Sequence, residues 1–279
     1  MEPDGTFGGD WTIKKLDIIF SYLDAYATAL KKFSFERIYV DGFAGEGVVR
    51  LRNGNIIEGS AQMALNVTHP FDRYIFIEKN KEKASRLSQM ASAHPDKKIY
   101  IINEDANKAL STFIRSTKWE KSRAVFFLDP FATETEWKTL QLIAETRHSD
   151  VWFLFPFSAV NRMLTKDIEQ TKLWEQRIDK CFGCTNWKES LYKKKKAVQL
   201  SLLPGSYESE YAKVNSEALI EYTKNRLSAL FPFVAPNPKI LKNEKGSILF
   251  VLFFMTANPE KKAIDLANRI AGHILRSKQ

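Results

Sequence analysis

The part of the sequence with the clearest chemical signature is IYVDGFAGEGV at residues 38–48. A short β-prone run leads into Asp41 and then into Gly42, Gly45 and Gly47, with the spacing G-x-x-G-x-G. Dinucleotide-binding enzymes use the spacing G-x-G-x-x-G, which lets a pyrophosphate bind at a helix N-terminus. In this sequence the order of the spacings is reversed, and a carboxylate precedes the first glycine. Glycines let the backbone approach a nucleoside closely, and a carboxylate suits a cationic amino acid group. S-adenosylmethionine (SAM) contains both parts; the alternative is a flexible turn without a ligand.

Two further carboxylates follow predicted strands, at the edge of the sheet where open α/β folds bind ligands. Glu78 closes the second strand and is suited to accept hydrogen bonds from both ribose hydroxyls, although a solvated strand-end residue is the alternative. Asp105 closes the third and is suited to an adenine amino group, or to an N-cap for the helix that begins at Ala106. The predicted cofactor site also includes the chain neighbours Phe43, Lys79 and Ala106.

A fourth strand, in VFFLDPFA, ends in a candidate acceptor site. Asp129 and a backbone carbonyl held by Pro130 are suited to orient an exocyclic amine, so that its lone pair points at a methyl donor. Phe131 is suited to stack on a planar acceptor. The alternatives are a strand-capping aspartate and a core phenylalanine.

The elements that position these residues alternate between strands and helices. Apolar residues recur every three or four positions over residues 12–32, which predicts an amphipathic helix. Buried strands are predicted at 37–40, 74–77, 99–102, 124–128 and 151–155, with helices at 60–66, 81–93, 106–116 and 134–145. This alternation predicts a doubly wound α/β fold with a mostly parallel sheet.

The rest of the chain predicts a closing pair of antiparallel strands and an inserted helical segment. Strands at 231–241 and 246–256 and a helix at 261–276 complete a seven-stranded sheet, an ending typical of class I SAM-dependent methyltransferases. We expect one domain over residues 1–279, with an N-terminal helical segment at 1–35 and a basic helical insertion or cap at 161–226. No Pro/Gly/Ser-rich linker divides the chain.

The charge balance favours a polyanionic partner. The chain has 42 Lys and Arg against 33 Asp and Glu, a net charge of +9, and residues 162–200 hold ten basic residues against five acidic ones. RNA or DNA is therefore the expected partner. The predicted nucleic-acid contacts are Lys193, Lys194, Lys195 and Lys196; a merely solvated face is the alternative.

Composition also bounds the location and the redox chemistry. The longest apolar run, residues 248–255, is too short to cross a bilayer, so no membrane partner is expected. The N-terminus lacks the pattern of a signal peptide, which predicts a cytoplasmic protein. The 2 cysteines, Cys181 and Cys184, are expected to be reduced thiols rather than a metal site, because a second pair of ligands is missing.

Several segments together resemble the three-Cys-motif partner (TcmP) proteins, a group with a class I methyltransferase-like fold. The segments are WTIKKLDIIFSYLDAY, YVDGFAGEG, EGSAQMAL, FIEKN, LDPFA and PFSAVNRML, which span most of the chain. More distantly, the chain resembles the adenine-N6 methyltransferases of large-subunit ribosomal RNA. It has D-P-F-A where those enzymes have D-P-P-Y, and Gly59-Ser60-Ala61 where both groups usually have Gly-Ser-Pro.

The resemblance implies SAM binding at the glycine-rich loop, Glu78 and Asp105, with Asp129 and Pro130 on the acceptor side. It also implies a partner protein, a radical-SAM-like enzyme that itself contains the three cysteines. Three functions remain open: a methyltransferase acting on a nucleic acid base, a SAM-binding scaffold for that partner, and a methyltransferase of a protein or small molecule.

Overall fold

The computed structural model describes residues 9–194 and 211–277. The strands are β1 (Glu36–Asp41), β2 (Val48–Arg50), β3 (Ile56–Glu58), β4 (Arg73–Ile77), β5 (Ile99–Ile102), β6 (Ser122–Leu128), β7 (Ser149–Phe155), β8 (Tyr192–Lys194), β9 (Tyr211–Lys213), β10 (Phe233–Val234), β11 (Lys239–Lys242) and β12 (Ile248–Thr256). The helices are α1 (Asp10–Leu30), α2 (Ser60–Leu65), α3 (Lys81–Ser92), α4 (Ala106–Ser116), α5 (Trp137–Glu145), α6 (Phe157–Met163), α7 (Ile168–Thr171), α8 (Glu175–Phe182), α9 (Trp187–Leu191), α10 (Ser216–Ser228) and α11 (Lys261–Ser277).

The central sheet has the order β5-β4-β1-β6-β7-β12, and β10 and β11 together complete its outer edge beside β12. The five strands from β5 to β7 are parallel, whereas β12 runs antiparallel to β7. The chain leaves β1 toward β4 and β5, then crosses to β6 and β7 on the other side of β1. The predicted doubly wound, mostly parallel sheet with an antiparallel last strand is confirmed.

The sheet separates two apolar layers, because alternate residues of a strand point to opposite faces. In β1, Ile38 and Val40 belong to one core cluster and Tyr39 to the other. The first cluster is covered mainly by α4, α5 and the helices that follow β7. The second is covered by α1, α2 and α11. Both faces of β1, β4, β6 and β7 are buried, which explains their continuous apolar sequences, whereas Tyr100 of the edge strand β5 is 51% exposed.

Helix α1 confirms the predicted amphipathic pattern, with a difference at one position. Leu16, Ile19 and Leu23 are buried as expected, but Ile13 is 47% exposed. The helix packs on α2 and α11, and the Tyr22 hydroxyl donates a 2.6 Å hydrogen bond to the Asp150 carboxylate at the start of β7. The predicted N-terminal segment 1–35 extends beyond the described residues, because residues 1–8 lie outside them.

Short strands that the sequence analysis did not predict form two small ribbons. β2 pairs with β3, and β8 pairs with β9 within the predicted helical segment 161–226. The predicted strand at 231–241 is divided into β10 and β11. Pro236 and Pro238 lie between these two strands, and proline has no N–H to donate to a strand ladder.

Within the described parts of the chain, no helix combines the length and apolarity needed to cross a bilayer. Cys181 is buried on α8, and burial raises the pKa of its thiol to about 12. The Cys184 sulfur lies 3.5 Å from the Tyr222 hydroxyl. Residues 9–194 and 211–277 contain no group of three or more His, Cys, Asp or Glu placed to hold a metal ion.

Candidate cofactor and acceptor site

The glycine-rich loop is anchored to the strands on either side of β1. The Gly42 N–H donates to the Phe127 carbonyl and the Ala44 N–H donates to the Ile77 carbonyl, each at 2.9 Å. Gly45 and Gly47 have φ angles of 64° and 84°, a region that L side chains rarely adopt. A Cβ on Gly47 would lie 2.7 Å from the Met90 sulfur, whereas a Cβ on Gly45 would meet nothing within 4 Å. The loop is therefore packed at Gly47 and open at Gly45.

Asp41 ends β1 and is completely buried. Its carboxylate accepts hydrogen bonds from the Phe43 N–H and the Tyr39 hydroxyl, both at 3.2 Å, and from the Ser60 hydroxyl. Desolvation nevertheless raises the pKa of Asp41 from 3.8 to about 6. Among the described residues, no Lys, Arg or His forms an ion pair with this carboxylate. Within residues 9–194 and 211–277, Asp41 is therefore a buried acid that has hydrogen-bond donors around it but forms no ion pair.

Glu78 connects the end of β4 to the glycine-rich loop. One carboxylate oxygen accepts the Gly45 N–H at 3.0 Å and the other accepts the Asn80 N–H at 2.7 Å. The Asn103 side-chain amide donates to the backbone carbonyls of Glu78 and Lys79, at 2.8 and 3.0 Å. Each carboxylate oxygen can accept more than one hydrogen bond. The predicted contact with ribose hydroxyls is therefore compatible with the role of Glu78 in shaping the loop.

Asp105 is the N-cap of α4, which was the alternative interpretation of this residue. Its Oδ1 accepts hydrogen bonds from the Asn107 and Lys108 N–H groups at 3.0 and 3.4 Å. Its Oδ2 lies 4.0 Å from the Lys79 ammonium and is the oxygen that faces away from the helix cap. Ala106, the first residue of α4, is buried in the core. The cap fixes Asp105 between the end of β5 and the start of α4.

The turn after β6 presents the three predicted acceptor residues in different environments. Pro130 is buried, whereas the Phe131 side chain is 66% exposed, which excludes the alternative of a core phenylalanine. The backbone N–H of Phe131 donates to the Glu134 carboxylate, whose pKa is raised because the group is desolvated. Ala132 has a φ angle of 55°. An exposed aromatic ring therefore projects from a turn fixed by its backbone.

Asp129 forms an ion pair with Lys15 of α1, a contact that the sequence analysis missed. The Lys15 ammonium donates to Asp129 Oδ2, and the exposed fractions of the two side chains are 7% and 24%. The same ammonium lies 5.4 Å from the centre of the Trp11 ring and 5.9 Å from that of Phe127. Asp129 Oδ1 makes no hydrogen bond within the described residues. The spacing of residues in α1 does indicate that Lys15 is buried. It lies four residues after Trp11 and seven before Tyr22, which places it on the buried face of the helix.

The predicted cofactor and acceptor residues gather along one edge of the sheet. Asp41 lies at the carboxyl end of β1, Glu78 and Asp105 follow β4 and β5, and Asp129 follows β6 on the other side of β1. Asp41 and Asp129 are close enough for the charge of Asp129 to raise the pKa of Asp41. This is the point where the strand order reverses, the usual ligand site in open α/β sheets.

The predicted nucleic-acid contacts are only partly described. Lys193 and Lys194 are exposed on β8, in a ribbon separate from the central sheet. Lys195 and Lys196 lie outside the described residues. The role of this lysine run stays a prediction.

Comparison with known proteins gives similarity at the level of solved structures. No family model and no curated protein matches the sequence. A protein from Legionella pneumophila is 13% identical, with a TM-score of 0.45, and the match covers 98% of this chain and 94% of that one. The N-terminal domain of EvdMO1, crystallised with bound S-adenosylhomocysteine (SAH), is 10% identical, with a TM-score of 0.39 and coverage of 85% and 80%.

A third similar structure is a putative methyltransferase, YhhF, from Escherichia coli. It is 14% identical, with a TM-score of 0.34, and the match covers 58% of this chain and 75% of that one. Sequence identities this low do not identify a substrate. The function has to be inferred from the residues of the site.

Proposed function

We propose that the protein is a SAM-dependent methyltransferase that transfers a methyl group to a nucleic acid base, at an exocyclic amine such as adenine N6. The observation that carries the proposal is the gathering of two sets of residues at the strand-order reversal. Asp41, the glycine-rich loop, Glu78 and Asp105 form one set, and Asp129 with Phe131 forms the other.

The residues on the cofactor side fit the chemical groups of SAM. A buried carboxylate without a cation is costly, and the cationic amino acid part of SAM would compensate the charge of Asp41. The open side of the loop at Gly45 leaves space for a nucleoside. Glu78 and Asp105 retain carboxylate oxygens that can accept hydrogen bonds from ribose hydroxyls and from an adenine amino group.

On the acceptor side, this chain supplies positioning and electrostatics. When bound, SAM supplies an electrophilic methyl group on its sulfonium. Asp129 Oδ1 would accept an N–H of the exocyclic amine and so orient the nitrogen lone pair. Phe131 would stack on the base, and such stacking is worth about 1–3 kcal/mol. The departing proton can leave to water after the transfer, so the turn need not contain a general base.

Lys15 has a positioning role in this scheme. It occupies Oδ2 of Asp129 and holds the carboxylate in one orientation, while Oδ1 stays free for the acceptor amine. The buried ammonium also compensates the charge of Asp129 next to the buried carboxylate of Asp41. Helix α1 therefore contributes directly to the acceptor site.

Calorimetric titration with SAM and with SAH tests the cofactor part of the proposal. We expect the wild-type protein to bind both, and Asp41→Ala and Glu78→Ala to bind neither. Asp96→Ala is the matched control, because Asp96 is an exposed carboxylate before β5, at the opposite edge of the sheet. Binding that survives both site substitutions, or a folded wild-type protein that binds no SAM, would contradict the proposal.

Methyl transfer to structured RNA and to DNA, followed with SAM labelled in its methyl group, tests the acceptor part. Asp129→Ala should lower kcat strongly and leave the affinity for SAM nearly unchanged, because it removes the oxygen that would accept the N–H of the acceptor amine. If Asp129→Ala abolished SAM binding instead, Asp129 would belong to the cofactor site.

The Lys15 contact also favours a second candidate, a SAM-binding scaffold for a partner protein such as the radical-SAM-like enzyme implied by the resemblance. An ion pair already engages the carboxylate that would orient an amine, and phenylalanine follows the proline in D-P-F-A. In that case SAM would bind without turnover on RNA, DNA, protein or small molecules. Product formation distinguishes the two candidates.

A further inference from the structure

A cavity of about 310 Å³ lies beside the acceptor side of the site. Three segments that are distant in the sequence line it: the start of α1, the turn between β2 and β3, and the hairpin formed by β11 and β12. Neither the cofactor site nor the lysine run at 193–196 includes any of these segments.

The lining of this cavity is basic. Lys14, Arg52, Lys239 and Lys242 contribute four positive charges, against the two carboxylates of Asp10 and Glu244. Within the described residues, Lys14, Arg52 and Lys242 form no ion pair. Burial lowers the pKa of Lys239, and the nearby charge of Lys14 lowers it further. Positive charges therefore lie close together and repel one another. A bound anionic ligand would reduce this repulsion.

The position of the cavity connects it to the acceptor turn. β12 is antiparallel to β7, and Val251, near its start, pairs with Phe155 at the carboxyl end of β7. The β11–β12 hairpin therefore lies at the carboxyl ends of the parallel strands, the same end of the sheet at which Asp129 lies. Trp11 lines the cavity, and its ring contacts the Lys15 ammonium that pairs with Asp129.

We propose that this cavity binds backbone phosphates of the nucleic acid whose base is presented to Asp129 and Phe131. Lys14, Arg52, Lys239 and Lys242 are the phosphate contacts. The inference rests on the proposed function for the place of the base, whereas phosphate binding itself can be measured without SAM.

The chemistry of the lining favours a phosphodiester chain. Several separate cations around an open cavity match phosphates spaced along a strand, and lysine and arginine are the usual phosphate contacts. Trp11 also lines the cavity, and aromatic rings interleaved with cations are typical of single-stranded nucleic acid sites. The net charge of +9 favours the same class of ligand.

Fluorescence anisotropy with a labelled RNA hairpin, and with a DNA hairpin of the same sequence, tests the proposal over a series of salt concentrations. The test variant is Lys14→Gln/Arg52→Gln/Lys242→Gln, in which all three side chains are exposed and their loss should leave the fold intact. The matched control is Lys261→Gln/Lys262→Gln. These two lysines begin α11, after β12 has returned to the amino ends of the parallel strands.

We expect the triple variant to bind the preferred hairpin at least about tenfold more weakly at low salt, with a log–log salt slope reduced by about 2 to 3. The control should bind like the wild-type protein, and both variants should retain the affinity for SAM. Equal binding by the triple variant and the wild-type protein would overturn the proposal.

Two other results would also overturn the proposal, and neither would affect the assignment of the cofactor site. One is that the wild-type protein binds SAM but neither hairpin at low salt. The other is that a mononucleotide binds the cavity as tightly as a hairpin, because the ligand would then be a single phosphate group. The preference between the RNA and DNA hairpins identifies which nucleic acid the cavity accepts.

Discussion

Replacing Asp41 with asparagine should stabilise the protein and weaken SAM binding at the same time. The pKa of Asp41 is raised from 3.8 to about 6 because the carboxyl is completely buried. In the folded state this group holds its proton more tightly than in the unfolded chain. The free energy of unfolding therefore falls as the pH rises from about 4 to about 6, and stays at the lower value above that range.

The difference of about 2 between the two pKa values corresponds to about 3 kcal/mol. Asp41→Asn removes this penalty. At pH 8 the free energy of unfolding of the variant should therefore exceed that of the wild-type protein by up to about 3 kcal/mol. Near pH 4 the difference should vanish. The fold can accept the asparagine amide. Its oxygen can accept the hydrogen bond from the Phe43 N–H, and its NH₂ group can donate to the hydroxyls of Tyr39 and Ser60.

Urea denaturation at several pH values measures the stability, and calorimetry measures the affinity for SAM at pH 8. We expect Asp41→Asn to bind SAM about 10- to 100-fold more weakly, because a charge-assisted contact is lost. The wild-type affinity should fall as the pH drops below about 6, whereas the affinity of the variant should change little there.

Asp150→Asn is the matched control for this experiment. Burial also raises the pKa of Asp150 to about 6, but this residue lies at the amino end of β7, away from the site. Its substitution should change the pH dependence of stability in the same direction and leave SAM binding intact. A variant Asp41→Asn that is less stable than the wild-type protein at pH 8, or that binds SAM equally well, would refute the reasoning.

Three further predictions concern the acceptor turn and the loop. Lys15→Met should lower the free energy of unfolding by about 2–4 kcal/mol in urea denaturation, because it leaves the Asp129 carboxylate without its cation, and adding Asp129→Asn should restore most of the loss. Phe131→Ala should raise KM for the nucleic acid but change stability by less than about 0.5 kcal/mol, because the ring is exposed; a large loss of stability would contradict this. Gly47→Ala should destabilise the protein by about 1–3 kcal/mol and weaken SAM binding, because Gly47 has a positive φ angle and a Cβ there would contact Met90. Thermal unfolding measures the stability. An unchanged thermal midpoint would contradict the prediction and show that the loop can rearrange.

The central sheet and the cofactor side could be predicted from sequence because their signals are local. Four of the five parallel strands, β1, β4, β5 and β6, are short apolar runs that end in a polar residue or directly precede one, and the helices between the strands have clear periodicity. The place of Asp41, Glu78 and Asp105 at or after the ends of such runs predicts them as site residues. The sequence also predicts the N-cap role of Asp105, because a carboxylate directly before a helical pattern favours a cap.

The features that the sequence did not reveal depend on contacts between distant segments. Lys15 pairs with Asp129, 114 residues away in the chain, and a lysine in a helical pattern is usually interpreted as solvent-exposed. The basic cavity is formed by three segments that are distant in the sequence, and their proximity depends on the tertiary structure. The β2–β3 and β8–β9 ribbons have three residues per strand, too few for periodicity to indicate a strand.

The position of α1 has a consequence for biosynthesis. This helix packs against α11, and its Tyr22 ring contacts Trp152 of β7 and Phe254 of β12. During translation the apolar face of α1 is synthesised long before the strands that cover it, so it stays exposed until β12 and α11 have left the ribosome. Contacts of such long sequence separation slow folding and favour aggregation of the nascent chain. A general chaperone that binds apolar helices should therefore raise the yield of folded protein during synthesis.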